Sequence, residues 1–116
     1  MGKTEKKTVL VTGGALRSGR AISLDMAKAG WQVAVHYNYS FAEANEVVKN
    51  ISQLGVKAFA IQADLEDQPA VSELIPKIAA QLSPVTAVIN NASVFEEDSI
   101  ETVTLSSWDR HLKINL

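Results

Sequence analysis

Apolar and polar positions follow two different periods along the chain, and these periods predict alternating strands and helices. Short runs rich in apolar and β-branched residues predict strands at residues 8–12, 31–37, 56–62 and 85–90. Between them, apolar residues recur every three or four positions and predict helices, the first over about residues 18–29. A further helix is predicted to begin near Ser106, and Pro76 predicts a kink in the third helix.

The alternation of strands and helices predicts an α/β fold built on one doubly wound parallel sheet. Right-handed crossovers place helices on both faces and favour the Rossmann-like strand order 3-2-1-4. We expect a single domain over residues 1–116, with a flexible tail at residues 1–7 and an end that falls within a helix. The sheet is expected to be incomplete, because the fourth strand would normally pair with a fifth. Its open apolar edge predicts self-association, and hence a homo-oligomer.

Composition narrows the functional classes. A net charge of −2 without a basic stripe argues against nucleic acid as a partner. The absence of cysteine excludes disulfides and a Cys-based zinc site, and it fits a cytoplasmic protein. His36 and His111 have no partners at metal-ligand spacing, so both are interpreted as structural and no metal site is expected. No apolar stretch is long enough to predict a membrane span.

Each predicted strand is followed by glycine or small polar residues. These are Gly13 to Gly19 after the first strand, Asn38-Tyr39-Ser40 after the second, Asp64 after the third and Asn90-Asn91-Ala92-Ser93 after the fourth. Ligands bind at the carboxyl ends of the strands in such sheets. Unpaired N–H groups at a helix start, together with the helix dipole, favour an anion. The sequence therefore predicts a nucleotide site, although the glycine loop taken alone is also compatible with an ordinary turn.

These motifs together resemble the short-chain dehydrogenase/reductase family over residues 8–116. The pattern Thr12-Gly13-x-x-x-Arg17-x-Gly19 is similar to the family's cofactor loop, except that Arg17 replaces its middle glycine. Asp64-Leu65 resembles the adenine-contacting pair, and residues 90–93 resemble the Asn-Asn-Ala-Gly motif. Arg17, His36-Tyr37 and Ser93 look most like the pteridine reductase branch, which includes dihydromonapterin-type reductases.

The resemblance implies an oxidoreductase that transfers hydride from NADPH to a pteridine-like or other carbonyl or imine substrate. The positions that correspond to cofactor-binding residues are Gly13, Arg17, Ser18, Gly19, Asn38, Tyr39, Ser40, Asp64, Leu65, Asn91, Ala92 and Ser93. Those implied to contact the small-molecule substrate are Arg17, Ser93 and Phe95. The implied cofactor is NADP(H), with no metal.

Several of these residues have a second interpretation. Asp64 can accept from the exocyclic amine of adenine while the Leu65 N–H faces a ring nitrogen, or Asp64 can be an N-cap or part of a solvated turn. Ser40 suits either a phosphate or the N-cap of the second helix. Arg17 can approach the cofactor pyrophosphate or be a surface cation. Phe95 can stack on a flat ring such as a pterin or be an ordinary core residue.

The end of the second strand carries no Asp or Glu. A carboxylate there would bind a free ribose 2′-hydroxyl and repel a 2′-phosphate, so its absence favours NADP over NAD. Pteridine reductases tend to have His-Arg-Ser at the position of Asn38-Tyr39-Ser40. The triplet in this chain offers donors but no cation, and a moderate preference for NADP is therefore expected.

The catalytic residues implied by the resemblance are almost all missing from the chain. Family members use a tyrosine as proton donor, with a lysine four positions later that lowers its pKa, and an earlier serine. Only the supporting asparagine of the preceding helix has a counterpart, Asn115. We therefore expect this chain to be the N-terminal cofactor-binding part of such an enzyme, and inactive by itself. The alternatives are a non-catalytic NADP(H)-binding module and a self-associating remnant without a ligand.

Overall fold

The computed structural model of the chain describes residues 6–91. Within this range strands and helices alternate strictly. The elements are β1 (Thr8–Thr12), α1 (Arg17–Lys28), β2 (Gln32–Tyr37), α2 (Phe41–Gln53), β3 (Ala58–Gln62), α3 (Gln68–Gln81) and β4 (Val85–Asn90). The helix predicted to begin near Ser106 lies outside the described residues.

The strands form one parallel sheet in the order β3-β2-β1-β4, which confirms the predicted topology. In β1, Val9 pairs with Val33 of β2 on one side and with Ala87 of β4 on the other. Every residue of β1 is buried. An interior strand of a parallel sheet is covered on both faces, and for this reason its sequence is almost continuously apolar rather than alternating.

Helices cover both faces of the sheet and divide the core in two. Val9 and Val11 of β1 share one cluster with Ile51 of α2, which packs beside α1. Leu10 of β1 shares the other cluster with Ile78 of α3. Because successive strand side chains point to opposite faces, neighbouring residues of β1 contribute to different clusters.

The helix ends differ slightly from those expected. α1 includes Arg17 as its first residue, but the φ of Arg17 is 53°, so right-handed helical backbone starts at Ser18. Gly30 follows the helix with a φ of 97°, as is typical of a helix-terminating glycine. α3 continues through Pro76 as one helix. Pro76 is exposed, so water can reach the Ser72 carbonyl that proline leaves without a backbone partner. Among the helices of residues 6–91, none has the length and apolar composition needed to cross a membrane.

Candidate nucleotide-binding site

Hydrogen bonds join the carboxyl ends of the strands along one edge of the sheet. The Gly14 N–H donates to the His36 carbonyl oxygen over 2.9 Å and links the loop after β1 to β2. The Asn91 N–H donates to Thr12 Oγ1 over 2.8 Å and links the residue after β4 to the end of β1. The glycine loop, the end of β2 and the start of the segment after β4 are therefore held together by these bonds.

The loop after β1 approaches the first turn of α1 so closely that glycine is required. Gly13 has a φ of 61°, in the left-handed region. A Cβ atom on Gly19 would overlap the Gly13 carbonyl oxygen and lie 2.6 Å from Asn91 Nδ2. A Cβ on Gly14 would lie 2.8 Å from Ser23 Oγ, which donates to the Gly14 carbonyl oxygen over 3.1 Å. Gly14 was not among the predicted site residues, although its place in the Gly13-Gly14 pair was a signal.

The first turn of α1 is suited to an anion. Leu16 occupies the N-cap position, and no described side chain caps the helix. The first turn contains no acidic residue and begins with Arg17, which is exposed. The N–H groups at this helix start and the positive end of the helix dipole therefore face the same edge of the sheet as the glycine loop.

Asn91 braces the glycine loop with both ends of its side-chain amide. Nδ2 donates to the Gly13 carbonyl oxygen over 3.2 Å, and Oδ1 accepts from Ser18 Oγ over 3.0 Å. Thr12, fully buried, supports this arrangement because its Oγ1 donates to Asn90 Oδ1 over 2.9 Å while accepting from the Asn91 N–H. The side chains of Asn91 and Ser18, both predicted to bind the cofactor, thus hold the loop in place.

A cavity of about 80 Å³ lies between the glycine loop and the end of β2. Its lining consists of Gly13, Ala15, Leu16, His36, Tyr37, Asn38 and Ser40, so none of these described residues brings a carboxylate. Ser40 is the N-cap residue of α2, yet its hydroxyl bonds no helix N–H in the described part of the chain. Asn38 Oδ1 accepts from Gln62 Nε2 over 3.1 Å, which leaves the Asn38 amide hydrogens for another acceptor. Tyr39 is 89% exposed beside this cavity.

Asp64 lies in a tight turn after β3. Its Oδ1 accepts from the Glu66 N–H over 2.9 Å, and its carbonyl oxygen accepts from the Asp67 N–H over 2.9 Å. Asp67, not Asp64, is the N-cap residue of α3. Asp64 is exposed, whereas the neighbouring Leu65 is buried. The structure thus contains the turn that was one of the two alternatives for Asp64, while adenine contact stays a prediction.

His36 is a buried histidine that connects the glycine loop to the end of β3. Its Nδ1 accepts from the Gly13 N–H over 2.9 Å, and its Nε2 lies 2.8 Å from the Ala63 carbonyl oxygen. Burial lowers the pKa of His36 below 6.5, and the hydrogen bond to Ala63 opposes this effect. The sequence identified His36 as structural but contained no signal for these two partners.

Four predicted site residues, Ala92, Ser93, Phe95 and Asn115, lie outside the described residues, and their roles stay predictions. Within residues 6–91 there is no group of three or more His, Cys, Asp or Glu side chains that could hold a metal ion. What the described residues bring together is a glycine loop, an uncapped helix start and polar strand ends. On a doubly wound parallel sheet this combination defines a nucleotide-binding protein.

Comparison with known proteins identifies the family. The family model described as short chain dehydrogenase matches residues 7–116, and the chain belongs to this family. The 3-oxoacyl-(acyl-carrier-protein) reductase FabG of Staphylococcus epidermidis is 36% identical over 110 residues, which are 95% of this chain and 45% of that protein. The hydroxynaphthalene reductase arp2 of Aspergillus fumigatus is 34% identical over 109 residues, 94% of this chain and 40% of that protein. The chain thus spans less than half the length of these curated relatives.

Solved structures give the same family and a closely related fold. FolM alternative dihydrofolate reductase 1 from Brucella canis, complexed with NADP, is 40% identical with a TM-score of 0.72. The match covers 90% of this chain and 42% of that one. A dehydrogenase/reductase from Sinorhizobium meliloti is 29% identical with a TM-score of 0.80, covering 91% of this chain and 49% of that one. The sheet and its helices are therefore those of short-chain oxidoreductases.

Proposed function

We propose that this chain is the cofactor-binding part of an NADP(H)-dependent short-chain oxidoreductase. The proposed reaction is reduction of a pteridine-like or other carbonyl or imine substrate by hydride transfer. The observation that carries the proposal is the cavity after β2, where the Ser40 hydroxyl makes no capping bond and none of the described lining residues is acidic. The 40% identity to FolM, an alternative dihydrofolate reductase complexed with NADP, supports both the cofactor and the substrate class.

The proposal assigns the parts of a dinucleotide cofactor to separate groups of described residues along one edge of the sheet. In this proposal the pyrophosphate binds the backbone N–H groups at the start of α1, where no described side chain caps the helix. The 2′-phosphate binds in the cavity after β2 through Ser40 and the Asn38 amide, both neutral donors. The turn at Asp64 and Leu65 is proposed to contact the adenine ring. When bound, NADPH supplies the hydride, and the chain's own residues bind and orient it.

Ser40→Asp tests the cofactor assignment. The carboxylate would lie in the proposed 2′-phosphate cavity and repel that group, so NADPH affinity is expected to fall at least about tenfold, equivalent to about 1.4 kcal/mol, while NADH affinity does not fall. Aspartate is also a good N-cap residue, so α2 should be preserved. Isothermal titration with NADPH and NADH measures both affinities.

Ser52→Asp is the matched control, because Ser52 lies at the opposite end of α2 and is exposed. It adds the same charge away from the cavity and is expected to leave both affinities unchanged. Equal loss of NADPH affinity in the two variants would mean that the effect is one of overall charge. An unchanged NADPH affinity in Ser40→Asp would contradict the placement of the 2′-phosphate.

Arg17 has a backbone conformation that glycine would adopt more easily. Its φ is 53°, whereas a non-glycine residue in the left-handed region costs roughly 1–2 kcal/mol. Glycine is also the residue that the family's cofactor loop usually has here. A strained residue that persists beside a ligand site supports a functional role. We propose that Arg17 contacts the cofactor pyrophosphate and the substrate.

Arg17→Gly should therefore weaken binding without weakening the fold. Loss of a charge-assisted contact of about 1.5–3 kcal/mol predicts a decrease of roughly 10- to 150-fold in NADPH affinity. Thermal unfolding should show a stability equal to that of the unchanged protein, or higher by up to about 1 kcal/mol, because the strain is relieved. Arg17→Ala is the control that removes the cation but keeps the strain. Both variants should bind NADPH equally weakly, and only the glycine variant should gain stability. An unchanged NADPH affinity in both variants would mean that Arg17 is a surface cation without a role in binding.

A further inference from the structure

His36 joins three segments that are far apart in the sequence. It lies on β2, accepts a hydrogen bond from Gly13 in the loop after β1, and bonds the Ala63 carbonyl just after β3. It is 3% exposed. The adjoining Gly14 N–H donates to the His36 carbonyl oxygen, so both the backbone and the side chain of His36 hold the loop.

The chemistry of the two partners determines the state of the imidazole. The Gly13 N–H can only donate, so Nδ1 must accept and must carry no proton. The Ala63 carbonyl can only accept, so Nε2 must carry the proton. Only the neutral Nε2–H tautomer satisfies both bonds. A second proton on Nδ1 would direct an N–H group at the Gly13 N–H and break that bond.

We propose that neutral His36 is a positioning residue that holds the glycine loop in its cofactor-binding shape, so that its protonation releases the loop and weakens cofactor binding. This inference rests on the proposed function. Gly13 is the residue at which the loop turns, with a φ of 61°, and its carbonyl also accepts from Asn91 Nδ2. Among the contacts of residues 6–91, losing the N–H bond would leave Gly13 with the hydrogen bond to its carbonyl.

The direction of the pH effect follows from the burial of His36. Its pKa in the folded chain is lowered below 6.5, mainly by burial, so the folded state prefers the neutral ring. The contribution of His36 to stability and binding is present above pH 6.5 and is lost as the pH falls through the lowered pKa. The ionisable groups on the adjoining segments lie in four places: Arg17 and Arg20 in the first turn of α1, Tyr37 and Tyr39 at and after the end of β2, Glu43 in the first turn of α2, and Asp64, Glu66 and Asp67 after β3. β1 contributes none.

The test compares the unchanged protein with His36→Asn and His36→Gln. In His36→Asn, the Oδ1 atom can replace Nδ1 as acceptor for the Gly13 N–H, but it does not titrate. In His36→Gln, the side-chain amide can donate to the Ala63 carbonyl, but it does not replace Nδ1 as acceptor for Gly13. NADPH affinity is measured by titration calorimetry from about pH 5 to 8, where histidine titrates. The quantity compared is the NADPH affinity of the unchanged protein divided by that of His36→Asn. Below the pKa of His36, this ratio should fall by up to tenfold for each unit by which the pH decreases. The 2′-phosphate titrates near pH 6 in both titrations, but only the unchanged protein also has a titrating His36 in the lining of the cavity. Attraction between a protonated His36 and the phosphate would raise this ratio as the pH falls, and that result would overturn the proposal.

At neutral pH, His36→Asn is expected to retain more affinity than His36→Gln, because it keeps the bond to the loop. A ratio of affinities between the unchanged protein and His36→Asn that is the same at every pH would overturn the proposal. Stronger NADPH binding by His36→Gln than by His36→Asn would also overturn it.

Nitrogen-15 NMR of the imidazoles provides a measurement that does not depend on a variant folding. The chain has only two histidines, and His36 should be the Nε2–H tautomer and titrate below 6.5. An Nδ1–H tautomer would also overturn the proposal, whereas absence of NADPH binding at every pH would refute the proposed function instead.

Discussion

Gly19→Ala is expected to abolish NADPH binding and to destabilise the protein, although alanine is normally favoured over glycine within a helix by about 1 kcal/mol. The added Cβ would overlap the Gly13 carbonyl oxygen and lie 2.6 Å from Asn91 Nδ2. The first of these neighbours is backbone and cannot rotate away. The loop must therefore move from the start of α1, with a cost typical of overpacking, about 1–3 kcal/mol. Because the pyrophosphate is proposed to bind the backbone N–H groups at the start of α1, this displacement predicts at least about a 100-fold lower NADPH affinity.

Thermal unfolding and NADPH titration measure the two consequences of Gly19→Ala. Gly30→Ala is the control, because a Cβ there would meet nothing within 4 Å and only the positive φ of 97° is unfavourable. Gly30→Ala should lose about 1 kcal/mol of stability and no affinity. If Gly19→Ala binds NADPH as well as Gly30→Ala does, the loop is not the cofactor site.

Thr12→Val is expected to weaken both the fold and NADPH binding. Valine keeps the shape of threonine but removes the hydroxyl that donates to Asn90 Oδ1 and accepts from the Asn91 N–H. Leaving those groups unpaired predicts a loss of about 1–3 kcal/mol in the free energy of unfolding. Asn91 also holds the Gly13 carbonyl, so NADPH affinity should fall about tenfold as the loop loosens, equivalent to about 1.4 kcal/mol.

Thr8→Val separates these two effects. Thr8 is as fully buried as Thr12 and lies at the other end of β1, where its hydroxyl bonds Gln32 and Ser83. Thr8→Val should therefore cost a similar free energy of unfolding but leave NADPH affinity unchanged. Denaturant unfolding and titration calorimetry give both quantities for each variant. Equal affinities in Thr8→Val and Thr12→Val would show that Thr12 acts on stability alone.

The candidate site could be predicted in outline but not in its internal contacts. Gly13 and Gly19 were recognisable because glycine after an apolar run marks a strand-to-helix turn. The link between Gly13 and His36 spans 23 residues and arises only when β1 and β2 pair. Asn91 was predicted to bind the cofactor, but its amide braces Gly13 and Ser18 across more than 70 residues. Such contacts have no local sequence signal.

Within residues 6–91, the sequence by itself determined the strands, the helices and their parallel order, because the apolar period and the alternation of elements leave few ways to bury a core such as Leu10 and Ile78. Only the tertiary structure decided the use of particular polar groups. In the described part of the chain it gave the Ser40 hydroxyl no capping bond, and it placed Arg17 in the left-handed region. It also held His36 in one tautomer. Hydrogen-bond partners depend on which atoms meet after the chain folds, whereas the hydrophobic pattern depends only on which residues avoid water.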